Sequence, residues 1–313
     1  MKRYAFGVDI GGTMIKMGLF ETVGNLLDTW EIKTRTEENG IHILHDIKTA
    51  VEQTLSDRGI SKDDVAGIGM GVPGPIGPDG TVYRCVNLGW GVFNVEADLE
   101  QMTGMKVKAG NDANVAALGE MWQGGGKGYE NMVMVTLGTG VGGGVIIGGR
   151  IVAGANGAAG EIGHIFTMDG ETEACGCGKK GCLEQYASAN GMVRMTKKYL
   201  EAHSETDSVL RHQADISAKS IFEAAGAGDA AAVYMTEETA AILGKALARI
   251  ACVTNPQAFV IGGGMAKAGD LLIQMIRKYY IQYAFHASEG AVFKEAMLGN
   301  QAGIYGGVKL LSV

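Results

Sequence analysis

Glu161–Glu184 reads EIGHIFTMDGETEACGCGKKGCLE, a stretch in which one histidine precedes three closely spaced cysteines. His164 lies a short distance upstream of Cys175, Cys177 and Cys182, which fall within eight residues. A structural zinc ion takes four ligands in a tetrahedron, and one imidazole nitrogen with three thiolates supplies them. The interleaved glycines allow the backbone to turn tightly enough for the sulfur atoms to converge. The pattern therefore predicts a structural Zn²⁺ site.

Two other interpretations of the cysteine cluster stay open on these residues alone. Three close cysteines also suit a disulfide with one spare thiol, or a redox-active pair. A lone histidine such as His164 is more often a structural residue than a metal ligand. Nothing in the sequence indicates secretion, so a disulfide framework is not expected. The remaining cysteines, Cys85 and Cys252, stand alone in apolar surroundings and are predicted to be ordinary core residues.

The composition predicts a soluble, cytoplasmic protein with a substantial core. Its 313 residues suffice for two domains or one large one, and 46% of them are hydrophobic. The formal net charge is −7 and no run of lysine and arginine stands out, so neither nucleic acid nor an anionic membrane is expected as a partner. No apolar stretch approaches the length of a membrane-spanning helix, and Asp9 comes too early for a signal peptide.

A glycine-rich turn near the start of the chain is the first candidate for phosphate binding. Tyr4–Asp9 and Met14–Phe20 read as strands joined by Gly11-Gly12-Thr13, which is a hairpin and not the strand-to-helix turn of a P-loop. Such a tip offers backbone N–H groups and a hydroxyl to a phosphate. Asp9 is placed to hold hydrated Mg²⁺, and Lys16 to meet phosphate oxygens. A plain glycine-rich β-turn is the alternative.

The same device occurs again later in the chain. Asn131–Ile147 reads as strand, turn and strand, with Gly138-Thr139-Gly140 at the turn. This internal echo suggests two related halves, and two Gly/Thr tips suit a triphosphate. A third cluster, Gly262-Gly263-Gly264, follows the predicted strand Phe259–Ile261 and leads into a helix from about Lys267. Backbone amides at the start of that helix are expected to meet phosphate or ribose.

Two short polar segments are candidates for binding or catalysis. Asn111-Asp112-Ala113-Asn114 lies where a strand passes into a predicted helix, Val115–Trp122. Asp112 at this junction is a candidate functional carboxylate and a candidate helix N-cap, two roles that are compatible, and either asparagine is an alternative cap. Asn87-Leu88-Gly89-Trp90 places an amide beside an indole, which fits a sugar pocket and fits an exposed turn equally well.

Helical periodicity predicts helices in five further segments, one of which is broken into two helices. They cover Ile41–Asp57, Gln185–Leu200, Ile221–Thr254 with a break near Gly226–Asp229, Leu271–Tyr283 and Gly303–Leu311.

Together these motifs resemble those of the ROK family (repressors, open reading frames and sugar kinases). They are Asp9-Ile10-Gly11-Gly12-Thr13, Asn111-Asp112-Ala113-Asn114, Leu137-Gly138-Thr139-Gly140, Gly160-Glu161-Ile162-Gly163-His164 and Cys175-x-Cys177-Gly178-x-x-Gly181-Cys182-Leu183-Glu184. The resemblance covers essentially the whole chain, and its cysteine motif is the most specific part. Within the family the sequence looks most like the bacterial ATP-dependent glucokinases. The repressors carry a helix-turn-helix ahead of the first glycine tip, for which we expect no room before Asp9.

The resemblance implies an actin-like (ribonuclease H-like) fold of two α/β domains, with ATP and sugar in the cleft between them. On this basis residues 1–112 form a small domain and residues 113–299 a large domain that carries the zinc motif. The C-terminal helix, about 300–313, is expected to pack back on the small domain. The family is commonly a homodimer or a homotetramer.

The resemblance also implies the reaction, which is transfer of the γ-phosphoryl of ATP to the 6-hydroxyl of glucose with Asp112 as catalytic base. The residues implied for the sugar are Asn87, Asn111, Asp112, Glu161, His164 and Glu184. The residues implied for ATP are Gly11, Gly12, Thr13, Lys16, Gly138, Thr139, Gly140, Gly263 and Gly264, with Asp9 near Mg²⁺. The alternatives are a kinase for N-acetylmannosamine or N-acetylglucosamine and, more distantly, a non-catalytic sugar sensor.

Overall fold

The computed structural model describes residues 2–313, which form two five-stranded sheets, a two-stranded sheet and nine α-helices. The strands are β1 (Tyr4–Ile10), β2 (Met14–Glu21), β3 (Leu26–Lys33), β4 (Val65–Val72), β5 (Thr81–Val82), β6 (Phe93–Asn94), β7 (Val107–Asn111), β8 (Met132–Leu137), β9 (Val141–Ile147), β10 (Arg150–Ile151), β11 (Ala258–Gly262) and β12 (Val292–Glu295). The helices are α1 (Ile43–Arg58), α2 (Val95–Thr103), α3 (Asp112–Gln123), α4 (Glu184–Ala187), α5 (Ala189–Ala202), α6 (Ala218–Gly226), α7 (Ala230–Thr254), α8 (Asp270–Tyr283) and α9 (Ala302–Leu310).

The chain divides into two units that are each discontinuous in sequence. Unit 1 comprises the chain up to Glu130, Gly144–Gly160 and Met297–Val313, and unit 2 comprises Asn131–Gly143 and Glu161–Ala296. These limits do not coincide with the boundaries at residues 112 and 299 proposed from the sequence. Unit 1 extends beyond residue 112 because α3 packs extensively against α9, and α9 in turn packs on β1 and β4.

The sheet of unit 1 has the strand order β3-β2-β1-β4-β7. β1, β2 and β3 are antiparallel neighbours, whereas β4 pairs in parallel with both β1 and β7. The predicted opening hairpin is thus confirmed, and its register places Asp9 opposite Lys16. Because β1, β4 and β7 run in parallel, their carboxyl ends lie at one edge of the sheet, where ligand-binding residues of open α/β sheets gather.

The two faces of this sheet are covered by different helices. Phe6 and Val8 of β1 are fully buried in a core that they share with Ile43 and Ile47 of α1. The opposite face meets α9, whose backbone lies directly on the sheet. Glycines make this contact possible at Gly7, because a Cβ there would overlap a backbone carbonyl of α9. The short apolar run of β1 and the helical spacing of apolar residues in α1 therefore produce the packing that they predict.

The second sheet has the order β10-β9-β8-β11-β12, in which β8, β11 and β12 are parallel neighbours. Within unit 2 the long helix α7 packs against α8 and also contacts α5 and α6. The predicted break between α6 and α7 is confirmed at Ala227–Asp229, where the Asp229 side chain caps α7 by accepting from the Ala232 N–H group.

Three structural predictions need correction. The single helix expected over Gln185–Leu200 is two helices, because Ser188 adopts an extended conformation and caps α5 through the Gly191 N–H group. The third glycine cluster is followed by a 3₁₀ helix, Gly264–Ala268, and α8 begins only at Asp270. Cys85 is buried as expected, but Cys252 is exposed. Within residues 2–313, every helix is too short or too polar to span a bilayer.

Candidate active site

Two carboxylates meet at the carboxyl edge of the sheet in unit 1. Asp9 is the penultimate residue of β1, and Asp112 is the first residue of α3, immediately after β7. Gly71 of β4 lies between them in the sheet, opposite Asp9. A Cβ at Gly71 would lie 3.3 Å from Asp9 Oδ1 and 3.4 Å from Asp112 Cα. The glycine therefore keeps open the space beside both acidic residues.

The proximity of Asp112 affects the pKa of Asp9. Burial, followed by repulsion from Asp112, raises the pKa of Asp9 to about 6, and Lys16 opposes this shift. Two partly desolvated carboxylates that repel one another are typical of a site that receives a cation. Lys16 is not isolated, since its Nζ lies 3.0 Å from Glu31 Oε1. Its expected role at a phosphate therefore requires that it leave or share this ion pair.

The first glycine tip is anchored on one side and open on the other. The Gly11 N–H group donates to Met14 O at 3.0 Å, which closes the turn. Thr34, just beyond β3, holds the tip because its hydroxyl donates to Gly11 O at 2.7 Å and its N–H group to Thr13 O at 2.9 Å. Gly12 and Thr13 are exposed, and a Cβ at Gly12 would meet nothing within 4 Å. This geometry leaves a phosphate room to approach the backbone.

Capping of α3 falls to Asn111, so that the cap does not require Asp112. The Asn111 Oδ1 atom accepts from the Asn114 N–H group at 3.1 Å, and its Nδ2 donates to Gly74 O at 3.2 Å. The Asp112 Oδ1 atom accepts from the adjacent Ala113 N–H group at 2.8 Å. Of the alternatives open on sequence, the structure therefore selects Asn111 as the N-cap.

The structure separates Asn87 from Trp90, for which the sequence left a sugar pocket and an exposed turn equally open. Trp90 is only 5% exposed and belongs to the core of unit 1, where its Nε1 donates to Gly40 O at 3.2 Å. Asn87 is exposed on a 3₁₀ turn, Val86–Leu88, as an exposed turn requires. Burial of the indole depends on the loop that follows β3, which is distant in sequence. The role of Asn87 at a sugar stays a prediction.

In unit 2 the four predicted metal ligands converge. His164 Nδ1 lies 3.7 Å from Cys175 Sγ, and Cys177 Sγ lies 3.6 Å from Cys182 Sγ. All four ligand atoms lie within 4.8 Å of one another. A zinc ion with Zn–S distances of about 2.3 Å and a Zn–N distance of about 2.0 Å sets its tetrahedral ligands roughly 3.5 to 3.8 Å apart. The donor set therefore fits Zn²⁺, and the cysteines are free thiols.

The backbone that shapes this cluster is a pair of tight turns tied to a second segment. The Cys175 N–H group donates to Lys179 O at 2.7 Å, and Gly178, with φ +84°, reverses the chain between the cysteines. The backbone of Cys182 forms an isolated antiparallel β-bridge with Phe166, two residues after His164. Glycine adopts a left-handed φ at little energetic cost, which explains why a glycine occupies position 178.

Glu184 joins the metal cluster to the second glycine tip. Its Oε1 accepts from Cys175 Sγ at 2.7 Å and lies 3.7 Å from His164 Nδ1. Its Oε2 lies 2.6 Å from where a Cβ on Gly140 would be. Because His164 turns Nδ1 toward the cysteines, its other ring nitrogen is left for a ligand, and 38% of the side chain is exposed. Glu161, also exposed, precedes the 3₁₀ turn that carries His164.

A cavity of about 730 Å³ in unit 2 brings the second and third glycine clusters together. Gly138, Thr139 and Gly264 line it on one side. Its apolar walls are Phe222, Met265 and Leu271, and charged side chains at its rim include Lys219, Glu223 and Lys267. Gly263 does not line the cavity. Its φ is +86°, and a Cβ at this position would lie 2.4 Å from Leu137 O, so the backbone approaches the Leu137 carbonyl closely.

The α6 residues that line this cavity were not predictable from the sequence. Phe222 and Lys219 read as ordinary positions of an amphipathic helix, and no spacing distinguishes a helix that faces a ligand from one that faces a core. Only the return of α6 to the Gly138 turn in three dimensions reveals them.

Comparison with known proteins agrees with this geometry. Residues 5–312 match the family model of the ROK family. The chain is similar to the glucokinase of Halalkalibacterium halodurans, with 45% identity over 309 residues that cover 97% of this chain and 94% of that protein. It is also similar to the glucokinase of Streptomyces coelicolor, with 38% identity over 312 residues that cover 97% and 96%, respectively.

Among solved structures, the chain is similar to a ROK family glucokinase from Streptomyces griseus in complex with glucose and AMPPNP. The TM-score is 0.74, the identity is 36%, and the match covers 98% of each chain. This match confirms the actin-like, two-domain α/β fold. Since the family model spans residues 5–312 and a relative is 45% identical over nearly the whole length, the chain belongs to the ROK family.

Proposed function

We propose that this protein phosphorylates glucose at its 6-hydroxyl with ATP as the phosphoryl donor. The observation that carries the proposal is that Glu184 lies both beside the metal-binding cluster of His164 and the three cysteines and beside Gly140 of the Gly138–Gly140 turn. This chain, which carries these motifs, is 36% identical to a ROK family glucokinase whose structure holds glucose and AMPPNP. A sugar-binding carboxylate held next to a phosphate-binding turn is what phosphoryl transfer to a sugar requires.

Asp112 is the proposed general base. Attack on the γ-phosphoryl requires an acceptor for the proton of the sugar hydroxyl, and a carboxylate at the end of a strand is rigidly placed for it. Capping of α3 by Asn111 allows the Asp112 carboxylate to serve the substrate. Asn111 is proposed to donate to the same sugar, and Asn87 to contact it from its exposed turn.

Asp9 is proposed to hold Mg²⁺ through water, and the first glycine tip to hold phosphate oxygens. Mg²⁺ supplies neutralisation of the charge on the β- and γ-phosphates. Burial, followed by repulsion from Asp112, raises the pKa of Asp9 to about 6, and a bound cation would favour the charged form of this carboxylate. Gly11, Gly12, Thr13 and Lys16 would then meet phosphate oxygens, because the tip is anchored yet exposed.

The cavity of unit 2 is the proposed nucleoside site. Phe222, Met265 and Leu271 offer apolar surfaces to a purine, and a cavity of about 730 Å³ accommodates a nucleoside. Thr139 and Gly264 at its inner end would meet the ribose or the phosphates, with Gly138, Gly140 and Gly263 shaping the backbone around them. Lys267, which also lines this cavity, would offer a positive charge to an anionic ligand.

Zinc in this proposal is a structural ion that orients two sugar-binding side chains. Bound to His164 Nδ1, it would fix the imidazole tautomer and leave the other ring nitrogen to a sugar hydroxyl. Glu184 follows the ligand Cys182 by two residues, so a bound zinc ion would hold its backbone at the edge of the same cluster. Glu161 completes the set of sugar ligands proposed for unit 2.

A coupled assay with ATP and Mg²⁺ across glucose, mannose, fructose, N-acetylglucosamine and N-acetylmannosamine tests the proposal. We expect strong preference for glucose. Preference for an N-acetylated sugar would instead identify the alternative hexosamine kinase, and no turnover of any hexose would favour a sugar sensor. The homodimer or homotetramer expected for the family is tested on the same sample by light scattering after gel filtration.

A further inference from the structure

A network of polar side chains lies behind the metal cluster in unit 2 and is not explained by metal binding. Glu171 Oε2 accepts from Arg194 Nη2 at 2.7 Å and from the Tyr186 hydroxyl at 2.7 Å. The Glu171 side chain is 7% exposed and that of Arg194 is 21% exposed. Arg194 belongs to α5, Tyr186 belongs to α4, and Glu171 lies in the loop that leads to Cys175. Three separate segments are therefore joined at one guanidinium.

The same guanidinium also holds the backbone of α4. Arg194 Nη2 donates to Gln185 O at 3.0 Å, and its Cζ lies 5.3 Å from the centre of the Tyr186 ring. Gln185 in turn accepts from the Cys182 N–H group at 3.1 Å and donates to Glu173 O at 3.0 Å. Glu184 is the residue just before Gln185 and the first residue of α4. Arg194 and its partners thus anchor this short helix, together with the Ser188 hydroxyl, which donates to Glu184 O at 2.6 Å, and with packing against α7.

Energetics favour a dedicated role for this contact. A four-residue helix such as α4 has too few internal hydrogen bonds to fix its own orientation. Hydrogen bonds from Arg194, and then from Tyr186, hold the pKa of Glu171 well below its usual range despite burial. A half-buried, charge-assisted network of this kind is geometrically specific, because the planar guanidinium donates in fixed directions.

We propose that Arg194 is a positioning residue for the sugar site, acting through α4 on the Glu184 carboxylate. This inference rests on the proposed function, since it assigns Glu184 to the sugar. Arg194 itself touches neither the metal ligands nor, in the proposal, the substrate. Its effect should therefore reach the reaction only through the position of Glu184 and be absent when Glu184 can no longer bind as a carboxylate.

The test is a double-mutant cycle between Arg194→Met and Glu184→Gln, measured on the full-length, zinc-loaded protein. Removal of a residue that orients a ligand-binding side chain typically costs about 10- to 100-fold. Arg194→Met should therefore raise the KM for glucose about tenfold while the KM for ATP and the zinc content stay unchanged. In the Glu184→Gln background the same substitution should change the KM for glucose less than about twofold, because coupled residues are not additive.

The matched control is Lys197→Met. Lys197 is an exposed lysine of the same helix as Arg194. It should leave the KM for glucose unchanged. Arg194→Lys keeps the charge and loses the fork, so it should give an intermediate KM, and it replaces the methionine variant in the cycle if that variant fails to fold.

Two results would overturn the inference. One is a KM for glucose within twofold of wild type in folded, zinc-loaded Arg194→Met. The other is an equal effect of Arg194→Met with Glu184 and with Gln at position 184, which would show that Arg194 acts independently of the carboxylate. Failure of the wild type to phosphorylate glucose contradicts the proposed function instead, and the cycle is then measured with the hexose that it does phosphorylate.

Discussion

At the scale of single residues, Asp9 shows most clearly how the site differs from an ordinary sheet edge. Its carboxylate is partly buried, faces Asp112, and lies against Gly303 in the first turn of α9. Such a position costs stability in the ligand-free protein and is repaid when a cation binds. Function and stability are therefore expected to oppose one another at this residue.

The substitution Asp9→Asn should stabilise the ligand-free protein at alkaline pH and abolish activity. The pKa of Asp9 is raised from 3.8 to about 6, so the folded chain retains this proton to higher pH than the unfolded chain. The free energy of unfolding therefore falls as pH rises through this window. At pH 8 the variant should be more stable than wild type by at most about 3 kcal/mol, and at pH 4.5 by at most about 1 kcal/mol, because the unfolded carboxyl is already mostly ionised there.

Urea unfolding at both pH values measures this difference. The control is Asp98→Asn, a substitution at an exposed position of α2, which should have the same small effect at both pH values. A wild type as stable as Asp9→Asn at pH 8 would contradict the burial assigned to this carboxylate.

The residue scale also shows what the sequence predicts well. The four metal ligands were predictable because three of them lie within eight residues, so their convergence is a local property. The environment of Trp90 was not, since whether an indole faces solvent or core depends on segments distant in sequence. Phe222 was missed for the same reason.

At the scale of elements, α9 shows how glycine determines the position of a helix. Gly303, Gly306 and Gly307 each lie so close to another segment that a Cβ would overlap it. For Gly303 that neighbour is the Asp9 carboxyl group, whereas for Gly307 it is the carbonyl of Gly69 in the middle of β4. Periodicity predicted this helix, but its function in seating Asp9 depends on which of its glycines meets which strand.

Gly303→Ala and Gly307→Ala should therefore have different functional effects despite similar costs in stability. Overpacking of a well-packed contact typically costs about 1 to 3 kcal/mol, and both variants should lose stability in this range. Only Gly303→Ala displaces Asp9, so it alone should raise the Mg²⁺ concentration required for half-maximal activity. Titration of Mg²⁺ at saturating glucose measures this requirement, and equal shifts in both variants would argue against a specific seat for Asp9.

The metal-binding loop is the second element whose sequence predicts its structure. Cys177→Ser should release zinc and raise the KM for glucose, because His164 and Glu184 lose the ion that fixes their geometry. Cys252→Ser, at an exposed thiol outside the cluster, should change neither quantity. Zinc content by mass spectrometry, together with glucose kinetics, provides both readouts. Full activity of Cys177→Ser with one zinc per chain would refute the assignment of this ligand.

At the scale of the whole molecule, the fold class was predictable and the limits of the compact units were not. The motifs occur in family order along the chain, which is sufficient to indicate an actin-like architecture. Unit 1 recruits Gly144–Gly160 and Met297–Val313 from far along the sequence. Such returns depend on the packing of α3 against α9, a contact that no local pattern specifies.

The proposed reaction separates two roles. Asp112 is the base, whereas side chains such as His164 and Glu184 are ligands of the sugar. Loss of the base should therefore separate binding from chemistry, because the sugar ligands of unit 2 do not depend on the Asp112 carboxylate.

The most direct measurement is a comparison of wild type with Asp112→Asn by single-turnover kinetics and by calorimetric titration with glucose. General-base catalysis contributes about 10²- to 10⁴-fold, so kcat should fall by at least this factor. The Kd for glucose should stay within a few-fold of wild type, since asparagine keeps the size of the side chain. A kcat within tenfold of wild type, with glucose bound normally, would show that Asp112 is not the base and would contradict the account.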